Sequence, residues 1–350
     1  MPAISAADAI SPAIHRTRAF LFRPFSLGTY LKLCLVALLT EGTSGGSGNF
    51  RLPGSGHMPN RHSHFQTYSS FSHFAFTPER IAAACAIIAL SLVVGFFIAY
   101  LITRLRFAYF HCLITNTRLI RTGWHFYRSQ ATRFFWFNVV VGLCFLALIV
   151  ILALPFAAGF LGLFHGIRAG GHPNIAAIFA LLLPLIPIIL LIALLAIAVN
   201  IVLRDFMLPH FALENATAGQ AWSAVWARIR FEKGSFFVYA LLRVLLPIVA
   251  AIGIVIVLLI PAILCILAVV AIEVGLHAVF HTAALGIFLE VSVGVVACVI
   301  AMLVFIAAFG PLKTAVRQYA LIFYGGRYRL LGDILYPPPP PAAIPAPASL

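Results

Sequence analysis

Long apolar runs, separated by short polar stretches rich in arginine, organise this chain from end to end. Five segments, roughly 80–103, 134–163, 175–203, 236–262 and 284–311, are apolar enough to cross a membrane as helices. A spanning helix needs about 20 such residues, because each rises 1.5 Å and the hydrocarbon layer is about 30 Å thick. A sixth run at 25–40 is shorter and carries Lys32, whose ammonium can snorkel to the nearer interface. Read as a span it makes six; read as an interfacial or re-entrant segment it leaves five. The runs are continuously apolar, whereas barrel strands would alternate, so helices are the only candidates. The predicted fold class is all-α: a polytopic transmembrane helical bundle forming one domain over residues 1–335. Pro155, Pro184, Pro187, Pro247 and Pro261 lie inside the runs and predict kinks, which are either structural or open a cavity.

The polar stretches set the expected orientation. Segment 41–78 is rich in Gly, Ser, Asn and His and reads as an extracytoplasmic loop. The tail 336–350 contains Pro337 to Pro341 and reads as extended and without a core. With six spans, 17 basic residues fall on one side and 4 on the other. The positive-inside rule then places both termini in the cytoplasm. The first apolar run is followed by Thr40-Glu41-Gly42, not by a small-residue cleavage site, so it reads as a retained anchor.

Composition agrees. Hydrophobic residues make up 63% of the chain and charged residues 9%, too few charges to cover a water-facing surface. The net charge of +14 would suggest nucleic acid in a soluble protein. Here the basic groups lie between apolar runs, without the aromatic spacing of a nucleic-acid module, and fit anionic lipid headgroups instead. None of the six cysteines forms a CxxC pair, which speaks against a zinc site or a disulfide framework.

Candidate chemistry is sparse. In 217–231, Ala221, Trp222, Val225, Trp226 and Ile229 share one helical face, and Thr217 with Gln220 has capping-box spacing. This predicts an amphipathic helix at the headgroup level on the cytoplasmic side, carrying Arg228 and Arg230. Arg121, His125 and Arg128 repeat at i, i+4 and i+7 as a cationic stripe. These five residues are the lipid-headgroup candidates, with generic topology determinants as the alternative. Glu273, His277 and His281 recur every four residues, with Glu290 beyond them; they could hold a divalent metal, relay protons, or form a polar patch at a hairpin turn. His57, His62, His64 and His73 in the polar loop have no carboxylate or Cys to complete a site. Arg243 can snorkel or pair with a carboxylate such as Glu232, and Asn138 and Asn200 suit bonds between helices. No GxSxG, P-loop or HExxH motif occurs, and neither a cofactor nor an enzymatic activity is expected.

An internal repeat at an offset of 98 residues pairs Arg106 with Arg204 and Trp124 with Trp222. It predicts three helical hairpins, each followed by an interfacial helix. Three stretches also carry a resemblance: Arg23-Pro24-Phe25-Ser26-Leu27-Gly28, Arg104-Leu105-Arg106-Phe107 running on to Trp124 and Phe134, and Asp205-Phe206-Met207-Leu208-Pro209 running on to Trp222 and Phe236. Over about residues 15–325 the chain resembles uncharacterised bacterial multi-pass proteins, similar to the membrane domain of some glycerophosphodiester phosphodiesterases. The resemblance implies no catalytic residue here, because the soluble phosphodiesterase barrel is missing. The leading expectation is a non-enzymatic membrane-organising or accessory component that contacts anionic lipid. A small transporter or channel is the alternative, and a lipid-modifying enzyme ranks third.

Overall fold

The computed structural model describes residues 4–42, 78–168, 175–280 and 284–336; the loop histidines, His281 and the proline run lie outside them. Helices α1 (Ile10–Phe22) and α2 (Leu27–Gly42) precede the long α3 (Pro78–Thr115). Short α4 (Ile120–Phe126) leads into α5 (Arg128–Arg168) and α6 (Ile175–Ile201). A π-helical turn, Val202–Met207, connects to α7 (Leu208–Leu213) and α8 (Ala218–Phe231). Then come α9 (Lys233–Phe280), α10 (Ala284–Gly325) and α11 (Arg329–Leu335). No strand occurs among the described residues.

Among the described residues, five helices are long and apolar enough to cross a membrane, and almost none of their most apolar stretch is buried by protein. Those shafts need lipid, or other helices, to cover them. Burial is concentrated at one end, where α1, α2, α4, α7, α8 and α11 pack among the feet of the shafts. Phe107, Phe110, Phe134, Phe206, Tyr239, Tyr319, Phe323 and Tyr324 form an almost fully buried aromatic core there. Phe323 stacks on Tyr239 at 4.3 Å and meets Phe236 edge-on at 5.6 Å.

The expected span at 25–40 is corrected by both the length and the direction of α2. Its 16 residues cover only about 24 Å at 1.5 Å each. It also runs the same way as α10. Tyr30 Oη donates to the Ala307 carbonyl at 2.8 Å, Cys34 lies on Gly310, and Glu41 Oε1 comes within 3.9 Å of Arg317 Nε. Six alternating spans would set the first and the sixth antiparallel. Leu33, Cys34, Ala37, Thr40 and Glu41 are buried, so α2 is a helix of the core.

That contact depends on glycine. A Cβ at Gly310 would lie 2.2 Å from Cys34 Cβ and 2.7 Å from its Cα. Gly310→Ala should therefore destabilise the protein by about 1–3 kcal/mol, the usual cost of overpacking. Thermal unfolding in detergent measures this, and adding Cys34→Gly should recover part of the loss.

The sequence also explains the local breaks. Pro209 has no N–H for the carbonyl of Asp205, and its ring would crowd that carbonyl in a regular helix. The chain widens into the π turn just before it, where the Leu208 N–H reaches back to Leu203 O. Helix α8 begins with the expected capping box: Thr217 N donates to Gln220 Oε1, and Thr217 Oγ1 accepts from Gln220 N. Its buried face is Ala221 and Val225, while Trp222 and Trp226 stack on each other half-exposed.

Candidate functional site

The site that emerges is a buried ionic cluster where the feet of the shafts converge. Asp205, in the π turn, is fully buried. Its Oδ2 accepts from Tyr239 Oη at 2.8 Å and Arg243 Nε at 2.9 Å, and its Oδ1 accepts from Arg317 Nη1 at 2.9 Å. Glu41, at the end of α2, takes Arg243 Nη2 at 3.1 Å and lies 3.7 Å from Arg204 Nη2. The Thr40 carbonyl accepts from Arg106 Nε at 3.2 Å and from Arg204 Nη2. Arg317 Nη1 also donates to the Arg204 carbonyl at 2.9 Å. Beside them Tyr109 Oη donates to Thr314 Oγ1 at 2.8 Å. The cluster thus ties α2, α3, the π turn, α9 and α10 together around a helix C-terminus, whose dipole favours cations.

Four guanidiniums face two carboxylates among these described residues. Arg204 Nη1 is buried with no hydrogen-bond partner among the described residues. It lines a narrow crevice together with Glu41, Arg106, Tyr109 and Arg317. Burial alone would raise the Glu41 carboxyl, but Arg204, Arg317, Arg243 and Arg106 outweigh it and bring its pKa down to about 2. A carboxyl depressed in the folded state contributes stability that is whole above its unfolded value, about 4.3. That contribution is lost as pH falls toward 2. Acid titration of thermal stability should therefore fall less steeply below about pH 4 in Glu41→Gln than in the wild type.

A second network lies one turn away. His210, in α7, is buried between Glu214, Tyr324, Arg228 and Tyr328. Its Nε2 faces Tyr324 Oη at 2.7 Å and Arg228 Nη1 at 3.1 Å. A guanidinium only donates, so Nε2 accepts, and Nδ1 carries the proton toward Glu214 Oε2 at 2.8 Å.

Many of the connector arginines satisfy carbonyls at helix ends. Arg118 takes Phe20 O and Arg23 O, both at 2.7 Å, and also Pro24 O, at the end of α1. Arg16 takes Leu113 O at 3.1 Å and Leu335 O at 3.3 Å, at the ends of α3 and α11. Such carbonyls have no partner within their own helix. Arg327 pairs with Glu232 at 2.8 Å and donates to Ile4 O at 3.0 Å. Both described ends of the chain therefore meet in this one core.

Arg121 and His125 are exposed on α4, which ends before Arg128, so the three do not share one continuous helix. Arg228 turns inward to His210 and Tyr324, while Arg230 stays outside over the Trp226 ring at 5.3 Å. His277 Nδ1 meets Glu290 Oε1 at 3.1 Å across α9 and α10, and Glu273 lies opposite Gly294. No group of three metal-ligating side chains occurs among the described residues. Arg243 pairs with Asp205 and Glu41 instead of Glu232, and Asn138 donates to Phe134 O of its own helix.

No local sequence pattern marks the cluster, although its pieces are legible. The offset of 98 residues matched Arg106 with Arg204, and both reach the same carbonyl, that of Thr40. Arg317, at the foot of α10, lies outside that repeat and donates to the Arg204 carbonyl instead.

Residues 4–334 match a family of unknown function (DUF7544), and the chain belongs to that family. No curated protein and no solved structure matches the chain, and nothing links it to the glycerophosphodiester phosphodiesterases.

Proposed function

We propose that this protein is a non-enzymatic component of a bacterial inner membrane that holds anionic lipid around a rigid, basic foot, and that this foot, where both described chain ends meet, faces the cytoplasm. The observation that carries the reading is the division of the molecule. Bare apolar shafts rise from an end where the arginine-rich connectors and both described chain ends pack together. Basic and aromatic groups at such a boundary suit negatively charged headgroups. Headgroup analysis of phospholipid retained by the purified protein tests it. Anionic lipid should be enriched over the bulk membrane, and bulk composition would overturn the reading. For orientation, a lone cysteine at Arg329 should resist an impermeant maleimide in spheroplasts, while one at His277 should label.

A second reading, passage of an anion, draws on Arg204 Nη1 and the excess positive charge beside the crevice. Proteoliposome flux that is abolished by Arg204→Gln would favour it over the first.

A further inference from the structure

We infer that the notch between α8 and α9 binds the phosphate of one anionic phospholipid, with an acyl chain lying along α9. This rests on the lipid-binding reading above and assigns it a place. Trp226, Ile229, Arg230 and Lys233 line the notch. Arg230 lies over the Trp226 ring at 5.3 Å, which holds the guanidinium at the mouth. Lys233 is exposed at the first position of α9. The nearby acid, Glu232, is engaged by Arg327 at 2.8 Å, so neither of the notch's two cations is neutralised by it.

Shape separates a lipid from a free phosphate. Lys233, Phe237 and Leu241 follow at four-residue spacing on one face of α9. Phe237 is 71% exposed and Leu241 50%, so an apolar track runs from the charged mouth into the bare shaft. A phosphodiester with a hydrocarbon tail satisfies both ends of this surface, whereas inorganic phosphate satisfies only the mouth. The stacked Trp222 and Trp226 add amphipathic rings at the same depth.

The test is native mass spectrometry of the full-length protein with added phosphatidylglycerol or phosphatidylcholine. The wild type should prefer phosphatidylglycerol, and Arg230→Gln/Lys233→Gln should lower that preference by roughly tenfold. Arg230→Lys/Lys233→Arg should retain most of it. Both substituted residues are exposed, and an unchanged melting temperature will show that the variant is folded. Full preference in the Gln variant would overturn the notch while leaving the proposed function in place. No preference in the wild type would remove the proposed function as well. Displacement of the lipid by millimolar inorganic phosphate would make the ligand a free anion and overturn the lipid assignment.

Discussion

Asp205→Asn should be among the most damaging single substitutions in the protein, lowering its stability by about 3–5 kcal/mol. The carboxylate is fully enclosed and accepts from Arg243, Arg317 and Tyr239. An amide of the same shape keeps the volume but removes the charge that offsets two buried guanidiniums. Its NH₂ group also presents a donor where donors already converge. The expected readout is a large fall in detergent melting temperature and in folded yield. The cycle with Arg317→Gln sharpens the test: once Asp205 is neutral, removing one stranded cation should cost far less than it does in the wild type. Additive losses would mean that the cluster is not one unit.

Phe323→Ala should cost about 3–5 kcal/mol, through a cavity and not through charge. Its ring is fully buried among Phe206, Phe236 and Tyr239, and the Arg327 guanidinium lies 4.1 Å from its centroid. Losing it opens a void between α9, α10 and the π turn and removes the seat of Arg327, which also holds Glu232 and Ile4. Phe323→Leu, which refills much of that space, should recover most of the stability. Equal losses for the two variants would argue against a packing origin.

These predictions concern residues that local sequence reading treated as ordinary. The shafts were readable because apolarity over about 20 residues is a local property. The α8 capping box was readable for the same reason, since its two partners are three positions apart. The cluster was not. Glu41 meets Arg243 across 202 positions, and Arg317 meets Asp205 across 112. The positive-inside rule accounts for Arg204 and Arg317 without requiring a partner, so it conceals a pair as readily as it explains a charge. The same blind spot put Arg228 with Arg230 at the surface, when helical phase turns one to His210 and leaves the other outside. The α2 run failed for another reason: apolar length reports burial, and a core helix is buried as thoroughly as a short span.

The length of α9 has a consequence for the membrane itself. Its 48 residues form a rod of about 72 Å at 1.5 Å each, against a hydrocarbon layer of about 30 Å. Anchored at Lys233 by the foot, such a rod cannot stand upright with all its apolar surface covered. It must lean, bend at Pro247 and Pro261, or gather a thicker collar of lipid. The foot is held by ion pairs and aromatic packing, so adjustment to bilayer thickness falls on the far half of α9 and on the α10 segment beside it. The protein sets a long apolar rod on a packed base, and the His277–Glu290 pair stands at the far end of that rod.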